Sequence, residues 1–92
     1  DTTVDQLKTI RNQIEDHIKK SEDFNTNIGI AVRVDKFSDS SIDMYVRCFT
    51  DTDSWNEWLA VKERLAIVIK QIVEANKASF AFPSSSIYIE KK

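Results

Sequence analysis

The pattern of apolar and polar residues changes three times along this chain, and each change predicts a new kind of element. Val4, Leu7, Ile10, Ile14 and Ile18 recur at spacings of three and four, the period of one helix face. At 100° per residue they form a single narrow stripe, enough to cover one sheet face. Thr3 and Gln6 stand at the two ends of a capping box, whose side chains satisfy orphan N–H groups. Glu15 with Lys19 and Asp16 with Lys20 predict i,i+4 pairs on the outer face. Residues 21–27 are polar and predict a loop anchored by Phe24.

From Ile28 the period drops to two. Ile28, Ile30, Val32 and Val34 alternate with Gly29, Ala31, Arg33 and Asp35. After a Ser/Asp-rich turn, Ile42, Met44, Val46 and Cys48 alternate with Asp43, Tyr45, Arg47 and Phe49. This predicts a hairpin with each apolar set on one face. The turn, Ser38-Asp39-Ser40-Ser41, lacks the Gly or Asn of a two-residue primed turn. Either Ser38 or Asp39 takes a left-handed conformation, or the loop is longer.

Ser54 and Glu57 form a second capping box, with Asp53 as the alternative cap. The helix they open is predicted to run to about Ala75, with Asn76 as a left-handed C-cap. Wound up, Trp55, Trp58, Leu59, Val61, Leu65, Ala66, Val68, Ile69, Ile72 and Val73 span half its circumference, wider than a one-sided stripe. Lys62 interrupts that arc, and Ile67 lies in the middle of the polar one. The stretches Ala78–Phe82, ended by Pro83, and Ile87–Ile89 read as two short strands.

Ninety-two residues, 41% apolar and 30% charged, predict one globular domain over residues 1–92. A net charge of −2 argues against nucleic acid as the partner. No apolar run approaches the roughly 18 residues that cross a membrane. The chain opens on Asp1 rather than Met, which predicts a fragment of a longer protein. The element order α-β-β-α-β-β predicts an α+β fold, a ferredoxin-like split βαβ lacking its first strand, with two helices on one face of an antiparallel sheet.

The segment Val34-Asp35-Lys36-Phe37-Ser38-Asp39-Ser40-Ser41-Ile42 resembles the phenylalanine-glycine-aspartate-serine-serine hairpin of the small-conductance mechanosensitive channel family. Ala78-Ser79-Phe80-Ala81-Phe82-Pro83-Ser84 is similar to the aromatic-proline ending of that family's cytoplasmic α/β domain, and Asp1–Leu7 to the start of its first helix. Ser38 stands where the family has glycine, and the glycine usual after the second helix is missing. In the family a strand precedes the first helix; here the chain begins after it. Either Ile87–Ile89 fills that strand's place, or an edge is left open for a second chain.

The resemblance implies a non-enzymatic role without cofactors. It implies the soluble cytoplasmic vestibule domain of a homoheptameric inner-membrane channel, which opens under tension and passes solutes in osmotic downshock. The implied partners are other copies of the same subunit, and the membrane is met only through a preceding part. Trp55, Trp58, Ile67, Phe80, Phe82 and Pro83 are the candidate subunit contacts, because a half-circumference apolar arc is hard to hide under a small sheet. The alternative is a freestanding ferredoxin-like module that binds a ligand or dimerises through its sheet.

Other candidates carry blander readings. A single His, His17, and a single Cys, Cys48, cannot supply the three or four ligands of a metal site. Arg47 beside Cys48 suggests an activated thiol, but adjacent strand residues face opposite ways. Asp35 and Asp43, facing each other across the hairpin, with Asp39, Asp51 and Asp53, suggest acid–base work or calcium; no EF-hand spacing accompanies them. Ser84–Ser86 reads as a connector. Tyr45, Phe49, Phe80 and Phe82 suggest a base-stacking platform, against which the acidic balance stands.

Overall fold

A computed structural model of the chain describes residues 2–37, 42–78 and 87–91. Its elements follow in the order α1 (Val4–Lys20), β1 (Ala31–Phe37), β2 (Ile42–Thr50), α2 (Trp55–Ala75) and β3 (Ile87–Lys91). The α+β class holds. The proposed strand over Ala78–Phe82 and the turn at Ser38–Ser41 fall largely or wholly outside the described residues.

α1 opens as its first residues dictate. Thr3 accepts the Gln6 amide N–H, and the Gln6 side chain accepts the Thr3 N–H, at 3.1 and 2.7 Å. Glu15 pairs with Arg11 at 3.2 Å rather than with Lys19. The stripe residues Leu7, Ile10, Ile14 and Ile18 are all buried. Ser54, not Asp53, caps α2, its hydroxyl accepting the Glu57 N–H.

The end of α2 differs from expectation by one residue. Asn76 keeps a negative φ, and Lys77 takes the left-handed one at φ 59. The Lys77 and Ala78 amides then bond the carbonyls of Glu74 and Val73, a Schellman closure. Asn76 is held elsewhere: its side-chain amide donates to Ile72 O and to Gln13 Oε1, both at 2.8 Å. These bonds, with Gln6 donating to the Asn76 carbonyl, seat the C-terminus of α2 beside the first turns of α1.

The sheet has the order β1-β2-β3. β1 and β2 are antiparallel, as the hairpin pattern predicts. β3 pairs with β2 in parallel, so the sheet is mixed rather than antiparallel. The reason is the connection: α2 crosses over the sheet and returns the chain in its original direction, which a short turn cannot do. Ile87–Lys91 thus takes the place beside β2, the first of the two alternatives for the missing strand. β1 begins at Ala31 rather than Ile28. Gly29, the chain's single glycine, turns the backbone at φ 156 just before it, and Ile28 is exposed.

Register shifts between Val34 and Lys36, which makes Asp35 the extra residue of a bulge. Both helices lie on one face and close a core of Ile10, Ile14, Ile18, Val32, Met44, Val46, Cys48, Val61, Leu65, Ile69, Val73, Ile87 and Ile89. Phe24 and Ile30 pack against its margin. Each fully buried aliphatic side chain stabilises the fold by roughly 1.5–3 kcal/mol before conformational entropy is counted.

Candidate functional site

α2 buries four residues, Val61, Leu65, Ile69 and Val73, at one-turn spacing. Trp58, Ala66 and Ile72 of the arc pack half-buried against the margin of the core. Trp55 stays 61% exposed, Leu59 44% and Ile67 50%. Trp58 is half-buried and fixed at both ends. Its indole Nε1 donates to the Ile89 carbonyl at 2.8 Å, and Trp55 stacks on it with ring centroids 5.1 Å apart and planes 14° off parallel. The Lys62 ammonium lies 5.5 Å from the Trp58 ring. The cation that interrupts the arc is therefore a cation–π partner rather than a misplaced charge. Trp55, Trp58, Leu59 and Lys62 form a surface patch at the start of α2, bordering β3. Ile67 sits two turns from Leu59 and further around the helix, apart from that patch. Phe80, Phe82 and Pro83 lie outside the described residues. Leu59 was missed as a candidate, although its spacing of four from Trp55 is the signal that finds it.

Among the described residues, the outer strands of the sheet, β1 and β3, are both partly guarded. Arg11 Nε donates to the Val32 carbonyl of β1 at 2.7 Å, as Trp58 does to Ile89 of β3. A filled edge carbonyl is one template fewer for pairing with another chain, and the Asp35 bulge adds to this on β1.

The sheet face away from the helices carries Tyr45, Arg47, Phe49, Tyr88 and Glu90. The Tyr45 and Tyr88 rings meet tilted by 37°, with centroids 5.2 Å apart. Arg47 pairs with Glu90 at 2.7 Å and lies over the Phe49 ring. The two cross-strand contacts tie β3 to β2 on the exposed side. Tyr45 and Phe49 share this face, but Arg47, the cation between them, is occupied by Glu90.

The remaining candidates separate in space. Cys48 points into the core while Arg47 points out, and burial pushes the Cys48 thiol up to about 12, which keeps it protonated and unreactive at neutral pH. Asp35 does not face Asp43: it is the bulge residue, and Asp43 stands opposite Lys36. Asp51 accepts the Asn25 side-chain amide at 3.1 Å, Asp53 is exposed, and Asp39 lies outside the described residues. A polar cavity of about 330 Å³ is lined by Glu22, Asp23, Asp51 and Glu57, and of these carboxylates Asp23 is paired with Arg64 at 2.9 Å. Among the described residues no group of His, Cys, Asp and Glu is arranged to hold a metal. His17 is half-buried in the last turn of α1. Ser84–Ser86 lies outside the described residues.

Residues 1–80 match the family model for the C-terminal part of the mechanosensitive ion channel MscS. The chain belongs to the MscS family. An MscS family protein of Helicobacter pylori is 40% identical over 91 residues, 98% of this chain and 15% of that protein. One of Aquifex aeolicus is 37% identical over 87 residues, 92% of the chain and 22% of the relative. The low conductance mechanosensitive channel YnaI of Escherichia coli is 41% identical over 61 residues, 66% of the chain and 18% of that protein. The chain therefore spans less than a quarter of the length of each of these relatives. The MscS match covers both helices and the hairpin, and β3 lies beyond it. No helix among the described residues is long and apolar enough to cross a membrane.

Proposed function

We propose that this chain is the soluble cytoplasmic vestibule domain of a tension-gated MscS-family channel, one domain of a longer inner-membrane protein. In this reading it contributes to assembly of the channel and to solute passage in osmotic downshock, and performs no enzymatic step. The family match over residues 1–80 carries the reading. Relatives several times longer than this chain support its being part of a larger protein. The partners would be copies of the same subunit, seven in all, and the contact surface the exposed side of α2 with Trp55, Trp58 and Ile67, joined by Phe80, Phe82 and Pro83. A solvent-facing tryptophan stacked on a second one is the kind of anchor that concentrates binding energy at protein interfaces.

Reading the coding region upstream of Asp1 is the first test. Apolar helices long enough to span a membrane are expected there; a start codon directly before Asp1 would overturn the proposal. Patch-clamp recording of the whole protein under suction then tests the activity. A tension-gated conductance is expected, and a membrane-inserted protein silent at every tension would contradict it.

A further inference from the structure

Val4 opens the apolar stripe of α1 yet is 65% exposed. With Leu7 and Val34 it walls a surface cavity of about 330 Å³ between the first half of α1 and β1. Lys8 and Arg11 complete the lining. The volume lies at the lower end of small-molecule sites, roughly 300–1,000 Å³, and is about twice that of an apolar void that holds benzene. Three aliphatic side chains form the walls, and the stems of the two cationic residues add methylene surface.

The two cations differ. Arg11 is already committed, to the Val32 carbonyl at 2.7 Å, to Asn12 Oδ1 at 2.8 Å and to Glu15 at 3.2 Å. Lys8 is exposed and has no ion pair among the described residues; Asp5, one turn before it on the same helix, forms none with it. An apolar groove with one uncommitted cation at its rim complements an alkyl chain that ends in a carboxylate. We propose that the groove between α1 and β1 binds a small amphiphilic anion of the medium-chain fatty acid class. The alkyl chain lies against Val4, Leu7 and Val34, and the carboxylate pairs with Lys8. Arg11 is the weaker partner, because Glu15 offsets its charge. The site lies away from the exposed patch on α2 and does not depend on the channel reading.

Decanoate titrated into the isotope-labelled 92-residue chain, below its micellar range, tests this by amide chemical shifts. Saturable shifts are expected at Val4, Leu7, Lys8, Arg11, Val34 and their neighbours. Lys8→Gln should weaken the apparent affinity about tenfold, the scale of one charge-assisted contact, and decanol should bind the unaltered chain correspondingly less tightly than decanoate. Val4→Asp, at an exposed position, should abolish the shifts by placing a carboxylate at the mouth. Shifts that do not saturate, saturable shifts on the Trp55 patch instead, or decanol binding as tightly as decanoate would each overturn the proposal.

Discussion

α1 and α2 cover the same sheet face, and each buries four stripe residues, yet they differ in what they leave outside. α1 places Leu7, Ile10, Ile14 and Ile18 in the core, and the apolar residue left over from its stripe is Val4. α2 buries Val61, Leu65, Ile69 and Val73 and leaves Trp55, Leu59 and Ile67 in water. The core fully buries the same number of residues from both helices and takes Trp58, Ala66 and Ile72 of α2 at its margin, so Trp55, Leu59 and Ile67 are the part of the wider arc that the core does not explain. Exposed apolar residues scattered singly are ordinary. Trp55 and Leu59 are neighbours, and Trp55 rests on a Trp58 that is itself held by Ile89 and Lys62. α1 leaves a single aliphatic at the mouth of the α1–β1 groove, whereas α2 leaves an exposed aromatic stack and two further aliphatics.

Truncations in the two stripes should cost alike and heavily. Ile14→Ala and Leu65→Ala each remove a fully buried aliphatic and should lose about 2–5 kcal/mol, read from urea unfolding. A much smaller loss in one helix would break the equivalence. Trp58→Phe keeps the ring but loses the bond to Ile89 O, and should cost about 1–2 kcal/mol; an unchanged unfolding midpoint would mean the indole N–H does not secure β3. Lys77→Gly relieves a left-handed backbone and should stabilise by about 0.5–1 kcal/mol. The smallest effect on stability belongs to Ile67→Ala and Trp55→Ala, which should change it by about 0.5 kcal/mol or less while weakening subunit association of the whole protein in cross-linking. Loss of stability without loss of association would move both residues from surface to core.

Cys48 offers an independent probe of the shared core. With its thiol pushed up to about 12 by burial, labelling at pH 8 should proceed only through unfolding, so Leu65→Ala should accelerate it and Ile67→Ala should not. The sign also has a consequence for pH. The folded thiol holds its proton where the unfolded thiol has already ionised, so Cys48 makes stability fall as pH rises from about 9 towards 12.

Most of the elements were legible because their causes lie within a few residues along the chain. The stripe of α1, the Thr3–Gln6 cap, the Ser54 cap and the alternation from Met44 to Cys48 each depend on neighbours at two to four positions. The misses have longer causes. Asp35 and Asp43 read as a facing pair because strict alternation was assumed, and a single bulged residue undid it. Asn76 read as the left-handed cap because asparagine favours that conformation, but its side chain is drawn to Gln13 on the other helix, and Lys77 takes the turn. β3 was visible as a strand but not as a parallel partner of β2, because its direction follows from where α2 delivers the chain.

Periodicity and capping thus told which residues prefer burial and where each helix starts, since those preferences act locally. They did not tell how much area waits opposite. Half the circumference of α2 is apolar, but the three described strands receive four of its residues in full, and the rest sort by contact: Trp58 onto Ile89, 31 residues away, Lys62 onto Trp58, Trp55 and Ile67 into solvent. A side chain's fate depends on the surface it meets, and that surface exists only after distant segments have packed.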